Sequence, residues 1–363
     1  MLTVGVEEEY LLVDPLTREV SPQAHKVVAQ ASTLGLGDRA GPELTSYQVE
    51  ARSEPHTTMK DLGDQIRTMR AVVAAAARQH GLNIVSTGAP VLGRPSPAAV
   101  SQGSRYARSL EAFRALDDEQ SICACHIHVG VPDLAVALAV SNHLRTWIPV
   151  LIALSANSPY WAGRDTGYAS WRTLAMARWP VAGPPPYFES PAHFEDLVGG
   201  VIETGAVMDR GGLYWDIRPS CHVPTLEIRV PDATATPDET VLLAAVVRAM
   251  VATALKAVEA GEPAPRPQPE ILRAACWRAA RDGLAGASVD LPTSHLIPVA
   301  TRVEQLLQWI CPALRELGDL DLVGAGWSRL RADGNGADRQ RATYRRSTNL
   351  IGVVDHLITT TTG

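Results

Sequence analysis

An α+β fold is the class this sequence predicts, and three observations predict it. Short stretches such as "TVGVEEEYLLV", "YQVEAR" and "CHIHVGV" are rich in β-branched and aromatic residues and read as strands. Between the strands lie long helical stretches, above all Thr57 to His80 and Pro237 to Glu259. Two further strand-like runs, "GGLYWDIRPS" and "TLEIRVPDA", sit close together between Gly211 and Asp232. That hairpin-like spacing argues against a purely parallel sheet.

The elements follow in order. Leu2 to Val13 is a strand, stopped by "DPLT", and a helix runs from about Pro22 to Leu34. "ELTSYQVEARSE" is the second strand, closed by the breaker "EP". Thr57 to His80 is a helix with alanine and aliphatic residues on one face, and "LNIVSTGAP" is a short strand running into a loop. Gly93 to Tyr106 is turn-rich and carries Arg94 and Arg105. "SICACHIHVGV" is a strand ended by Gly130 and Pro132. The apolar run from Pro132 to Pro159 holds one or two buried helices, interrupted at Pro149. "SPYWAGRDTGYASWR" and "RWPVAGPPPYF" form a long irregular zone of the kind that serves as a lid or binding segment. After the hairpin and the helix Pro237 to Glu259, "GEPAPRPQPE" is a proline-rich internal linker near 261–270. Helical segments run on to about Leu317, and the tail ends in another helix. No repeat or shift of composition divides the chain, so residues 1–363 read as a single domain.

Composition narrows the function. A chain of 363 residues with 46% hydrophobic and 20% charged residues reads as a soluble globular protein with a large core. A formal net charge of -6 gives no broad basic signature, so no nucleic-acid partner is expected. The opening "MLTVGVEEEYLL" has no basic leader, and no run of about 20 apolar residues is free of charges or turn residues. A cytoplasmic protein without a membrane span is the expectation. Cys123, Cys125, Cys221, Cys276 and Cys311 are odd in number and widely spaced, unlike a disulfide framework. "CAC" lacks the C-x-x-C spacing of zinc and redox sites and reads as packing.

Chemistry enters through strand parity. Residues i and i+2 share a face of a strand. Glu7 and Glu9 therefore point one way, with Glu8 and Tyr10 on the other side. His126 and His128 point together, Glu227 and Arg229 point together, and Glu50 shares a face with Gln48 and Arg52. Each pattern alone also fits a solvated charge cluster, a surface ladder pair or a satisfied core histidine. On one shared sheet face they would make a surface costly to bury without partners. Carboxylates repel unless protonated or bridged by cations. Oxygen-rich donor sets suit magnesium or manganese, and manganese also accepts imidazole.

The stretches "GVEEEYLLVDP", "CHIHVGV", "LSANSPYWAGRDTGYASWR" and "WDIRPSCHVPTLEIRVPDA" closely resemble the carboxylate-amine ligase family of the glutamate–cysteine ligase type 2 group, in order, from about Val4 to Leu357. The resemblance implies a glutamine-synthetase-like catalytic fold. In it a curved, mainly antiparallel sheet holds the active site on its concave face, with helices packed outside. It also implies ATP, Mg2+ or Mn2+, and a homodimer. On this resemblance Glu7, Glu9, Glu50 and Glu227 look like metal ligands. His126 or His128 looks like the histidine that approaches the nucleotide phosphates or their metal, and His128 is preferred. Arg229 looks like a phosphate contact, and Arg172 and Arg218 look suited to substrate carboxylate or the transferred phosphoryl group. Glu54 reads either as an added ligand or as a turn charge, and Asn157 either as a substrate contact or as a turn cap.

The implied chemistry has two steps. ATP phosphorylates a carboxylic acid substrate, and an amine substrate displaces phosphate to give an amide. Glutamate plus cysteine is the natural pair. No Walker-type G-x-x-x-x-G-K-[ST] is present, so nucleotide binding would rest on the metal-lined sheet. The segment from Ala156 to Arg172 is expected to close over the site. A phosphotransferase acting on a guanidino or amine nitrogen, and a non-catalytic ATP- and metal-binding protein, are the alternatives.

Overall fold

The computed structural model describes residues 2–93, 99–101 and 103–362, so Arg94 lies outside the described residues. Among them, seven strands form the main sheet: β1 (Val4–Val13), β2 (Ala40–Pro42), β3 (Gln48–Arg52), β4 (Asn83–Val85), β5 (Cys125–Gly130), β6 (Ile217–Pro219) and β7 (Thr225–Ile228). Their order is β6-β7-β5-β1-β3-β2, and β4 pairs with the far end of β1. Every pairing in this sheet is antiparallel. A strand covered on both edges and both faces needs apolar residues at consecutive positions. Leu11, Leu12 and Val13 of β1, all paired with β4 and the first also with β3, are accordingly all buried.

One face of the sheet makes the core. Val4, Val6, Ile127, Val129, Leu226 and Ile228 point to it and are almost wholly buried. Burying each such side chain contributes about 1.5–3 kcal/mol. The helices Met59–Gln79 and Pro237–Glu259 pack against it. Both start as their sequences direct. Thr58 and Thr236 accept backbone N–H bonds from Asp61 and Glu239, and Pro237 occupies the first turn, where its missing donor costs nothing.

The same face carries the middle glutamate of the "EEE" run. Glu8 and Arg70 are almost fully buried and form a bidentate ion pair, with contacts of 2.6 and 3.1 Å. Tyr10 and Thr240 hydroxyls also donate to Glu8, each at 2.6 Å. Arg70 further donates to the carbonyls of Thr234 and Thr361, which ties the C-terminal helix to the sheet.

Several expectations are revised. The apolar run breaks at the 3-10 turn Arg145–Trp147, between helices Leu134–Leu144 and Ile148–Ser155; Pro149 opens the second helix instead of interrupting the first. A hairpin, Ala287–Asp290 with His295–Pro298, interrupts the stretch over which the sequence predicts helical segments. Leu134–Ser155 and Pro237–Glu259 are long and apolar enough to cross a membrane, but 78% and 67% of their apolar 18-residue windows are buried inside the fold, as core helices are. The helices on either side of the proline-rich linker share one hydrophobic core, through Ala254, Leu272 and Ala275.

Candidate active site

Antiparallel register turns the parity argument into neighbours. Glu7 pairs with Arg52 on β3 and His126 on β5; Glu9 pairs with Glu50. Gly5, which adds no side chain, pairs with His128; His128 pairs with Glu227, and Glu227 with Arg218. Directly paired residues point to the same face. The face opposite the core therefore carries four carboxylates and two imidazoles in one unbroken patch. It forms the floor of a cleft of about 990 Å³.

Within that patch, ligand atoms converge in three overlapping groups: Glu7, His128 and Glu227; Glu7, Glu50 and His126; Glu9, Glu43 and Glu50. In each group the atoms lie within 4.8 Å of one another. Glu7 Oε2 is 3.2 Å from His126 Nδ1, and Glu7 Oε1 is 3.5 Å from His128 Nε2. Thr225 Oγ1 lies 2.9 Å from His128 Nδ1 and fixes the ring. His128 Nε2 is buried and has no hydrogen-bond partner among the described residues. An imidazole held through one nitrogen, with the other left bare among carboxylates, has the arrangement of a metal ligand.

The charge balance supports the same reading. Burial, and then the charge of Glu43, push the Glu9 carboxyl up to about 8, despite the Ala124 N–H that it accepts at 2.9 Å. Burial and the neighbouring Glu7, Glu43 and Glu9 hold Glu50 well above the usual carboxylate range. Burial would raise Glu7 too, but the hydrogen bond to His126 and the nearby imidazole of His128 outweigh it and hold it low. Glu227 is also held low, because Arg229 and Arg218 outweigh its burial. Burial and then Arg229 push His126 down to about 4, so its imidazole is neutral. Neutral imidazole and carboxylates that resist ionising together are the condition a divalent cation relieves. The donor set fits magnesium or manganese.

Residues 3–356 match the model of glutamate-cysteine ligase family 2 (GCS2). The chain belongs to that family. It is 42% identical over 362 residues to the putative glutamate–cysteine ligase 2-1 of Saccharopolyspora erythraea, covering 99% of this chain and 95% of that protein. To the putative glutamate–cysteine ligase 2-2 of Mycobacterium sp. (strain KMS) it is 45% identical over 354 residues, covering 97% and 96%. Among solved structures, the glutamate–cysteine ligase of Francisella tularensis in complex with AMP has a TM-score of 0.74 at 14% identity, covering 99% of this chain and 88% of that one. The bifunctional glutathione synthetase of Pasteurella multocida has a TM-score of 0.73 at 13% identity, covering 99% and 52%. At such identities the structures show a shared fold. Family membership carries the general activity, ATP-dependent joining of a carboxylate to an amine.

In this family 2 chain the arginines stand at the β6–β7 end of the cleft. Arg218 donates to both oxygens of Glu227, at 2.7 and 3.3 Å, and to the carbonyls of Gly211 and Leu213. Arg229 pairs with the same carboxylate. Arg172, at the start of helix Trp171–Met176, lines the cleft but spends two nitrogens on the carbonyls of Val230 and Arg229, at 2.9 and 2.8 Å.

Two sequence alternatives separate. Glu54 is exposed, lies 3.7 Å from Arg39 and joins none of the ligand groups, as a turn charge does. Asn157 is buried away from the cleft. It donates to the carbonyls of Ser86 and Ala233 and accepts from Gln340. The expected lid is corrected: of residues 156–172 only Arg172 lines the cleft. Asp165 is tied in a bidentate pair to Arg341, and Ser158 and Ser170 donate to Asp232, so this segment is anchored to the scaffold.

Sequence reasoning missed Glu43. It lies before β3 in an irregular segment, where no period-2 pattern points it anywhere. It also missed Asp216, although Asp216 stands two residues before Arg218 and parity was available to find it.

Proposed function

We propose that this protein joins the side-chain carboxylate of glutamate to the amino group of cysteine through an acyl phosphate, with the cleft over the sheet serving as the concave active-site face. The supporting observation is the run of three overlapping ligand groups on one sheet face, with the bare Nε2 of His128 among them. The names of the relatives supply the substrate pair.

Glu7, Glu9, Glu43, Glu50, Glu227 and His128 would hold the divalent ions. Bound there, the ions neutralise phosphoryl charge as it moves. Neutral His126 stands behind Glu7 and steadies its carboxylate. A free carboxylate is a poor acyl donor because its leaving group is oxide, and phosphorylation removes that defect. Arg218 and Arg229 present N–H groups where the acid's oxygens and the transferred phosphoryl group would lie. Arg172 acts as a positioning residue: it caps the carbonyls at the end of β7 and so sets the aim of Arg229.

The test is ADP and phosphate release with ATP, magnesium or manganese, glutamate and a panel of amines including cysteine, with product masses read in parallel. A mass of acid plus amine minus water, absent from Glu9→Ala, is the expected result. Phosphorylated amine without amide would turn the assignment to a phosphotransferase. Binding of ATP without turnover on any pair would reject the ligase.

A further inference from the structure

Asp216 is an acidic side chain of the cleft that the chemistry above leaves unused. It precedes β6, and its backbone is fixed on both sides. Its N–H donates to the carbonyl of Gly183 at 2.8 Å, and its carbonyl accepts from the N–H of Arg229 at 2.8 Å. The second bond sets Asp216 across from Arg229, one step past the Ile217–Ile228 pair. Alternation then places it on the face of Arg218 and Glu227, and it lines the cleft.

Its neighbours are committed elsewhere. Arg229 pairs with Glu227, and Arg172 holds main-chain carbonyls. Asp216 belongs to none of the metal-ligand groups. Burial raises its carboxyl to about 7, with Arg172 and Arg229 offsetting only part of that effect. A half-buried carboxylate without a hydrogen-bond or ion-pair partner among the described residues, at the arginine end of a ligase cleft, suits a small cation that brings its own hydrogen-bond donors. Tyr214, two residues earlier, meets Trp179 edge to face at 5.1 Å, and both line the same cleft with Met176. The body of the incoming molecule would meet an apolar wall there.

We propose that Asp216 receives the ammonium group of the amine substrate and accepts its first proton. The freed nitrogen lone pair then forms the C–N bond to the acyl phosphate. The C–O bond to phosphate breaks with its electron pair on oxygen, and the second nitrogen proton leaves with the departing phosphate. This rests on the ligase reading above.

Hydroxylamine separates the two. It is mostly uncharged at slightly alkaline pH, so it captures an acyl phosphate without needing an ammonium site. Wild type, Asp216→Asn and Asp216→Glu would be compared with ATP, magnesium and glutamate, using either hydroxylamine or cysteine as acceptor. For Asp216→Asn, kcat/KM for cysteine should fall about 100-fold, the usual worth of a positioned proton acceptor, while the hydroxamate rate falls by less than about 3-fold. Asp216→Glu should recover part of the loss. If amide and hydroxamate rates fall together, Asp216 merely supports the strand. If neither falls, it is idle. Either result overturns the proposal while leaving the ligase in place. A wild-type protein that makes neither product overturns both.

Discussion

Replacing Glu9 by glutamine in metal-free protein tests whether the carboxylates are poised for cations. Glu9 is 6% exposed, stands opposite Glu50 across β1 and β3, and has its carboxyl raised to about 8 from 4.5. A raised carboxyl keeps its proton in the folded state over a range where the unfolded chain has lost it. The folded state then binds more protons, so stability falls as pH rises from the unfolded value toward about 8. Each pH unit inside that window costs about 1.4 kcal/mol. Between about pH 6.5 and 8, allowing for ionisation near the top, the loss is about 1.5 kcal/mol. For a chain of this length that is about 2 °C in Tm. His126 opposes this trend mainly below its ordinary value of 6.5, and it is present in both proteins. Asp216 titrates in both proteins and cancels in the difference. Thermal and denaturant unfolding in chelator should therefore show the advantage of Glu9→Gln over wild type growing by about 1.5 kcal/mol across the window. Added manganese should reverse the order, because it stabilises the ionised wild type by mass action and has a poorer site in the variant. A difference that stays flat with pH, or shrinks, would refute the reasoning.

Two further outcomes follow from named contacts. Arg70→Ala strands the buried carboxylate of Glu8 and should lower unfolding free energy by about 3–5 kcal/mol in denaturant titration; a loss under about 1 kcal/mol would mean the pair is not buried as described. Thr225→Val removes the partner of His128 Nδ1, and calorimetry should then find manganese affinity reduced about 10–100-fold, whereas unchanged affinity would remove His128 from the ligand set.

Parity made much of the site legible, because it is a local property of extended chain. Glu7 with Glu9, His126 with His128, and Glu227 with Arg229 could each be assigned to a shared face. Which strands adjoin, and in what register, depends on contacts far apart in sequence, so the Glu7–His126 and His128–Glu227 pairings waited for the structure. Glu43 escaped because its direction is set by an irregular segment. Arg172 shows another limit. Its motif was visible, but its reach to two main-chain carbonyls depends on where the short helix docks. The hairpin at Ala287–Pro298 is hidden within a stretch that predicts helical segments, because its few strand residues lie between two strong helices. The boundaries of the two long core helices, by contrast, were fixed by nearby capping residues, and Pro237–Glu259 begins and ends where it was read.

Oxygen transfer tests the central claim most directly. Glutamate labelled with 18O in its side-chain carboxylate would be turned over with ATP, magnesium and cysteine, and the released phosphate analysed by mass. Activation of the carboxylate by phosphorylation predicts one labelled oxygen in each phosphate formed with amide. Amide formed alongside unlabelled phosphate would contradict an acyl-phosphate route on this sheet face.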